Sequence, residues 1–149
     1  MPSFEDRTPE AATYFREAFG LEELPGRVLY RSGTYWLTSS PELPEGVTIH
    51  AVGIPLLREQ RGGLKPTSFG LSLLGDRLRR GVVELGREEL LALLLGRTLP
   101  REGDDGYVAL SYRGEVLGCG QLKGGKLRSL IPRARRQELL SALATSQRV

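Results

Sequence analysis

The sequence is poor in the residues that most often build catalytic and metal centres. Its 149 residues include one cysteine, Cys119, and one histidine, His50. A single cysteine excludes an internal disulfide and a cysteine-based metal cage. A single histidine leaves almost no material for a zinc site. We therefore expect neither a metal nor an organic cofactor.

Long apolar runs are missing as well. No stretch reaches the length of a membrane span, and the first residues, MPSFEDRTPE, lack the pattern of a signal peptide. We therefore expect a cytoplasmic protein without membrane contact. The hydrophobic content of 40% and charged content of 26% are typical of a folded chain. A chain of this length can build one ordinary core or two very small ones.

Lysine is scarce although the chain is basic. Lys65, Lys123 and Lys126 are the only lysines among 21 basic residues, and the formal net charge is +3. Arginine offers a planar fork of five donors that suits phosphates and base edges. A GC-rich genome or a thermophilic host would produce the same preference for arginine. The charge is consistent with a nucleic-acid partner without requiring one.

The first half of the chain predicts a helix followed by strands. TPEAATYFREAFGLEEL has apolar residues at helical spacing, with Thr8 as N-cap, Pro9 in the first turn and Gly20 as the stop. GRVLYRSGTYWLTS predicts a hairpin and GVTIHAVGIPLL a strand. REQRGGLKPTS predicts a loop, and SFGLSLLGDRL predicts a short helix. The aromatic side chains expected in the core are Tyr14, Phe15, Phe19, Tyr35 and Trp36.

The second half predicts one helix among several strands. RRGVVEL indicates a strand, GREELLALLLG a helix and LPREGDDG a loop. GYVALSYRGEVLGCGQLKGGKLRSLIP indicates three strands, joined by turns at Arg113–Gly114 and Gly124–Gly125. This order favours an α+β fold. We expect a small N-terminal α/β unit over residues 1–75 and a compact β-barrel over residues 76–149.

No arrangement typical of an enzyme is present. GLKPTS and GCGQLKGGK contain glycine and lysine but lack the spacing of a phosphate-binding loop. Cys119 and His50 both fall in strand patterns, and we interpret them as packing and strand residues. Adjacent carboxylates point apart and are interpreted as solvated charges or caps: Glu22–Glu23, Glu88–Glu89 and Asp104–Asp105. We therefore predict a protein that is not an enzyme.

Basic residues concentrate near the C-terminus. From Arg113 to Arg136 there are seven lysines and arginines against one acid, Glu115. A second group, Arg77, Arg79 and Arg80, precedes the strand pattern GVVEL. Such residues can donate to phosphates, and arginine can stack on unpaired bases. A solvated sheet edge that resists aggregation would carry the same charge. Charge alone does not decide between the two.

A known family shares the C-terminal pattern. The shared positions are Gly106–Val108, Gly114, Leu117, Gly118, Gly120, Lys123, Leu127–Ser129, Pro132, Arg133 and Arg136. With them, DDGYVALSYRGEVLGCGQLKGGKLRSLIPRARR resembles the PUA-like RNA-binding domain that ends the Sun/Nop-type RNA cytosine-5 methyltransferases of bacterial ribosomal RNA. A weaker likeness extends upstream to Tyr30. Ser129 and Ile131 replace the asparagine and the aromatic residue usual in the family.

The resemblance implies an RNA-binding protein without the family's catalytic domain. The chain shows neither a Rossmann-like unit nor a Pro-Cys or Thr-Cys motif, and 149 residues leave no room for them. The expected architecture is a pre-PUA unit over residues 1–75 and a PUA-like β-pseudobarrel over residues 76–149. LRSLIPRARR is expected to contain the closing strand. The implied partner is structured RNA, ribosomal or transfer, in RNA modification or ribosome biogenesis, with an RNA methyltransferase in trans as one conceivable further partner.

The residues expected to bind RNA are Arg77, Arg79, Arg80, Arg113, Gln121, Lys123, Lys126, Arg128, Ser129, Arg133, Arg135 and Arg136. Two alternatives stay open. In the first, the chain is a protein-interaction module whose N-terminal helix and hairpin dock a methyltransferase or a ribosomal protein. In the second, it is a small enzyme on a PUA-related barrel that acts on modified nucleosides with Lys65 or Glu84.

Overall fold

The computed structural model describes residues 4–38 and 53–146. The first sheet is an antiparallel meander in the order β1-β2-β3-β4-β5, and helix α1 packs against it. The elements are β1 (Glu5–Asp6), α1 (Thr8–Phe19), β2 (Arg27–Arg31), β3 (Thr34–Thr38), β4 (Ile54–Gln60) and β5 (Gly63–Pro66). His50, interpreted above as a strand residue, lies outside the described residues.

Helix α1 forms where the sequence predicts it. Gly20 ends it in the left-handed conformation, with φ of 66°, and donates its backbone N–H to the Arg16 carbonyl. The prediction of Thr8 as N-cap was wrong. Thr8 is the first helical residue and Arg7 precedes it, while the Thr8 hydroxyl and amide both donate to Asp6 Oδ1. These two hydrogen bonds lower the pKa of Asp6, and the bond from the Thr8 hydroxyl contributes most.

The loop predicted for REQRGGLKPTS was also wrong. Strands β4 and β5 pair there as a second hairpin, with Gln60 opposite Gly63 and Arg58 opposite Lys65. Gly62 and Gly63 both have positive φ values, 94° and 147°, so the two glycines allow the tight reversal between the strands. The two glycines were interpreted as loop residues, but they are also the residues that a hairpin turn demands.

The second sheet contains five strands in the order β6-β8-β9-β10-β7, with β6 parallel to β8 and the other pairs antiparallel. Its elements are β6 (Val82–Leu85), α3 (Arg87–Leu94), β7 (Leu99–Pro100), β8 (Gly106–Tyr112), β9 (Glu115–Lys123), β10 (Lys126–Ser129) and α4 (Arg133–Ser146). The predicted turns at Arg113–Gly114 and Gly124–Gly125 join β8 to β9 and β9 to β10. The α+β class is confirmed.

Helix α4 did not appear in the sequence prediction. LRSLIPRARR was expected to contain the closing strand, but the strand ends at Ser129 and Arg133 begins the helix. Leu139 and Leu143 on α4 are buried against the second sheet together with Leu90 and Leu93 of α3. One face of the second sheet is therefore covered by α3 and α4.

The other face packs against α2 (Ser68–Leu74), which ends in a 3₁₀ turn at Gly75–Arg77. Thr67 caps α2 by accepting the Gly70 amide on its side chain. A side chain at Gly70 would come within 2.9 Å of Leu56 on β4, and one at Gly118 on β9 within 2.9 Å of Ser68 Oγ. Small residues therefore let α2 lie close to both sheets.

Aromatic residues occupy the core as predicted for Phe15, Phe19 and Tyr35, which are fully buried. Tyr14 packs at the border of the same cluster, and Trp36 is half-buried. This cluster includes Leu71 and Leu74 of α2 together with Ala109 and Cys119 of the second sheet. Each sheet lies within one of the two predicted units, whereas this core contains residues from both. The division at residues 75 and 76 stays a prediction.

Candidate nucleic-acid interface

Four of the predicted RNA-binding residues lie together on strands β9 and β10. In the antiparallel pairing Lys126 is opposite Lys123, and Arg128 is opposite Gln121. Directly opposite side chains point to the same face, and so do residues two apart on one strand. We refer to Gln121, Lys123, Lys126 and Arg128 as the β9–β10 cluster. It lies on the sheet face opposite to the one covered by α3 and α4, because Leu122 and Leu127 point to those helices.

Arg128 is held in place by its cross-strand neighbour. Its Nε and Nη2 both donate to Gln121 Oε1, at 2.8 and 2.5 Å. Lys123, Lys126 and Arg128 are exposed. Tyr107, opposite Gln121 on β8, is half-buried and its hydroxyl accepts a hydrogen bond from Gln60 Nε2 of β4. The cluster therefore presents three cations on one face of the sheet, in two neighbouring cross-strand rows. The Tyr107 ring lies beside them and connects to the first sheet through Gln60.

The α4 arginines, Arg133, Arg135 and Arg136, differ from one another in their surroundings. Arg133 is exposed, and Arg135 forms an ion pair of 3.1 Å with Glu138. Arg136 shares a helical face with the buried Leu139 and Leu143, and its Nε is buried without a hydrogen-bond partner among the described residues. Ser129 Oγ accepts the Ile131 amide at 3.1 Å, which orders the connection between β10 and α4.

Arg113 lies away from both groups. It occupies the β8–β9 turn with a φ of 51°, and its guanidinium lies 5.2 Å from the Tyr112 ring centroid. Strand β9 separates it from Lys123, roughly 30 Å along an extended chain of ten residues. The structure therefore does not bring Arg113 together with the β9–β10 cluster.

The group Arg77, Arg79 and Arg80 is here called the capping cluster, because the backbone amides of Arg79 and Arg80 donate to the Phe19 carbonyl at the C-terminus of α1. Arg80 Nη2 donates to the carbonyls of Arg16 and Glu17, at 2.8 and 2.7 Å, and its Nε donates to Glu17 at 3.2 Å. Arg79 Nη1 donates to the Asp76 carbonyl. Cations at a helix C-terminus stabilise the helix because the last carbonyls lack partners within it. The cluster precedes edge strand β6, which β8 and β9 separate from β10 by about 14 Å.

Two groups that could be considered for catalysis, Glu84 and Cys119, are respectively held by hydrogen bonds and buried in the fold. Glu84 Oε1 accepts the Gly114 amide at 3.0 Å, and a hydrogen bond from Ser111, with this amide, lowers the pKa of Glu84. Burial raises the pKa of the Cys119 thiol to about 12. Within residues 4–38 and 53–146, no three side chains of His, Cys, Asp or Glu are grouped to hold a metal ion. No helix of the described parts is long and apolar enough to cross a membrane.

Sequence analysis missed Arg58 as a candidate and weighed Lys65 only as a catalytic group. Both line a cavity between the two sheets, together with Leu130 and Pro132 of the β10–α4 connection. The signal that could have found them is Gly62–Gly63, since a hairpin turn there places Arg58 and Lys65 on one face.

The two sheets, the covering helices and the exposed cations define an α+β protein that carries a PUA-like pseudobarrel. Residues 80–137 match the family model described as the methyltransferase RsmF PUA domain. The matched range runs from Arg80 to the first turn of α4 and includes the β9–β10 cluster and the α4 arginines. The resemblance inferred from the sequence is confirmed over this range.

Curated relatives extend the similarity upstream. Ribosomal RNA small subunit methyltransferase F of Psychromonas ingrahamii is 27% identical over 129 residues, which cover 80% of this chain and 27% of that protein. The protein of the same name from Shewanella pealeana is 30% identical over 131 residues, or 83% and 26% of the two chains. That of Aeromonas salmonicida is 26% identical over 113 residues, or 73% and 24%. The chain thus spans about a quarter of the length of these relatives.

Proposed function

We propose that this chain binds structured RNA, ribosomal or transfer, through the β9–β10 cluster and the exposed Arg133 beside it. The observation that carries the proposal is the juxtaposition of Lys123, Lys126 and Arg128 on one exposed sheet face within the range that matches the methyltransferase RsmF PUA domain. At most about 17 Å of extended chain separates Arg128 from Arg133. One RNA backbone can therefore contact both.

The cluster would act through phosphates and shape. Two lysines and an arginine release counterions when they neutralise phosphates, so affinity falls as salt rises. Folded RNA is recognised mainly by backbone shape, 2′-hydroxyl groups and unpaired bases. The proposal places this RNA binding in RNA modification or ribosome biogenesis in the cytoplasm. A methyltransferase encoded separately would be the partner that acts on the bound RNA.

The test measures binding of the purified protein to ribosomal RNA fragments, to tRNA and to duplex DNA of matched length at several salt concentrations. We expect preference for one folded RNA, with affinity that decreases steeply with salt. Replacing Lys123 and Lys126 by Gln should reduce the slope of log affinity against log salt by about 1.5, near 0.7–0.9 per phosphate contact.

A matched variant controls for the loss of charge. Replacing Arg16 and Arg113 by Gln also removes two positive charges, but from exposed positions outside the cluster. This control should bind RNA like the unmodified protein. Equal, weak binding of every nucleic acid, or equal losses in both variants, would show that the charge acts without a defined surface.

A second candidate function is favoured by the exposed apolar surface of α2. Leu73 is 49% exposed and lines a groove with Ile54 and Leu37. The apolar face of α1, proposed above as a docking helix, is by contrast buried in the protein's own core. If the chain is a protein-interaction module, a methyltransferase or ribosomal protein should be recovered with it after nuclease treatment, and Leu73→Asp should abolish that recovery.

A further inference from the structure

A cavity of about 190 Å³ lies where the first sheet, α2 and the β10–α4 connection meet. It opens beside Ser129 and Arg133, because Leu130 and Pro132 form one of its walls. No function discussed above uses it. Its lining divides into flat apolar walls, a buried polar floor and two cations.

The walls are suited to a flat ring. Pro55 of β4 and Pro132 present rigid five-membered rings, and Phe69 presents a phenyl ring that is 59% exposed. Phe69 lies in the first turn of α2, and the Thr67 cap at the start of this helix fixes its backbone position. Aromatic side chains stack on unpaired bases irrespective of sequence.

The floor offers one unused hydrogen-bond donor. Ser68 is 9% exposed, and its Oγ accepts the Cys119 amide at 2.9 Å. No acceptor among the described residues takes the Ser68 hydroxyl proton. This proton can be donated to a carbonyl oxygen or ring nitrogen of a base. The Cys119 thiol also lines the cavity, but burial keeps it protonated and unreactive.

Two cations stand together in the lining. Arg58 and Lys65 are direct cross-strand neighbours on β4 and β5, so their side chains share one face. No acidic group of the described residues forms an ion pair with either, and no acidic side chain lines the cavity. Like charges directly opposite each other destabilise a strand pair. A bound phosphate between the two side chains would relieve that repulsion.

We propose that this cavity accepts one unpaired nucleobase of the bound RNA, stacked on Phe69, with the adjoining phosphates on Arg58 and Lys65. This inference rests on the proposed RNA-binding function and adds the site and the chemical group recognised. The N-terminal unit then contributes directly to binding, through the hairpin of β4 and β5. The base enters beside the phosphates that the β9–β10 cluster and Arg133 contact.

The test uses two RNA hairpins that differ at one position. The first carries a single bulged 2-aminopurine ribonucleotide, and the second carries an abasic residue there. We expect the protein to bind the first about fivefold or more tightly, because stacking on an aromatic ring is lost in the second. We also expect 2-aminopurine fluorescence to decrease on binding. Phe69→Ala should remove both the preference and the fluorescence change.

Matched controls separate stacking from other effects. Leu95→Ala removes an apolar side chain of similar exposure, 60%, that is not part of the cavity and should leave the preference intact. Lys65→Gln should weaken binding of both hairpins, whereas Arg61→Gln, at the tip of the same hairpin, should do so less. Pro132→Ala alters another wall of the cavity and should also reduce the preference for the bulged hairpin. It therefore provides the test if Phe69→Ala does not fold.

The outcomes distinguish this site from the RNA-binding function. Equal binding of both hairpins, or an unchanged preference in Phe69→Ala and Pro132→Ala, would overturn the base site and leave RNA binding in place. Failure of the unmodified protein to bind either hairpin would overturn both proposals. A preference for the bulged hairpin that is lost only in the cavity variants would support both.

Discussion

The capping cluster and the β9–β10 cluster carry similar charge but have different partners. Arg80 donates three hydrogen bonds to carbonyls at the end of α1. In the β9–β10 cluster, Arg128 donates to a neutral amide oxygen of Gln121, and Lys123 and Lys126 extend into solvent. Backbone carbonyls use the donors that a phosphate would need. The density of arginine therefore does not locate a binding surface, whereas hydrogen-bond donors without a protein acceptor do.

The largest expected effect is a loss of stability when the packing at the C-terminus of α1, next to the capping cluster, is disrupted. Phe19 is fully buried, and a side chain at Gly81 would come within 2.9 Å of its ring. We expect Phe19→Ala to lower the free energy of unfolding by about 3–5 kcal/mol. Urea denaturation measures this. In the Phe19→Ala background, Arg80→Gln should cost less than it does alone. Equal costs in both backgrounds would mean that Arg80 does not act through docked α1.

Two matched triple variants test the comparison directly. Replacing Lys123, Lys126 and Arg128 by Gln should weaken RNA binding about 10- to 100-fold at moderate salt, because three phosphate contacts are lost. The unfolding free energy should hardly change, since all three side chains are exposed. Titration of labelled RNA and thermal denaturation provide the two measurements.

The capping triple variant should behave in the opposite way. Replacing Arg77, Arg79 and Arg80 by Gln should lower stability by about 1–2 kcal/mol through lost hydrogen bonds to backbone carbonyls. Its RNA affinity, corrected for the folded fraction, should stay the same. A marked loss of affinity in this variant would show that the two clusters act as one surface.

Arg136 offers a test within the α4 arginines. Its buried Nε has no hydrogen-bond partner within residues 4–38 and 53–146, and an unsatisfied buried donor is destabilising. Arg136→Met keeps an apolar stem and removes this donor. We expect the unfolding free energy to rise by about 1 kcal/mol. Arg133→Met, at an exposed position, should leave stability unchanged and weaken RNA binding. A loss of stability in Arg136→Met would mean that its guanidinium has a stabilising contact.

The smallest effect is expected at Arg135. Its ion pair with Glu138 is largely exposed on both sides, at 38% and 67% of the side chains. Such pairs contribute about 0–1 kcal/mol. Arg135→Gln should therefore shift the melting temperature very little, and the shift should vanish at high salt. A large, salt-independent shift would place Arg135 in the core of α4 packing.

Several elements were predictable from the sequence for local reasons. Helix α1, the hairpin of β2 and β3, and the strands β8 to β10 follow from apolar periodicity and from glycines at turns. The prediction of a loop for REQRGGLKPTS was wrong because glycines occur in hairpin turns as well as in loops. The local pattern does not separate the two. Helix α4 escaped notice because charge dominated the interpretation of its first turn, while Leu139 and Leu143 carried the helical spacing.

The candidate site was predictable only in part. The concentration of charge that includes Lys123, Lys126 and Arg128 is visible in the sequence, and their role in RNA binding stays a prediction. Arg58 and Lys65 lie beside Leu130 and Pro132 only because the first sheet and α2 pack against the second sheet. These are contacts between residues distant in the chain, which local sequence patterns do not encode.

Propensity, periodicity and charge are local properties, so the sequence alone is enough to predict the α+β class, the order of most elements and the excess of cations in the second half. The tertiary structure alone decided which cations keep unused donors. Docking of α1 against the start of β6 places Arg80 on helix carbonyls, while pairing of β9 with β10 aligns Lys123, Lys126 and Arg128 toward solvent. The same guanidinium group is structural or available according to which backbone oxygens lie within hydrogen-bond distance.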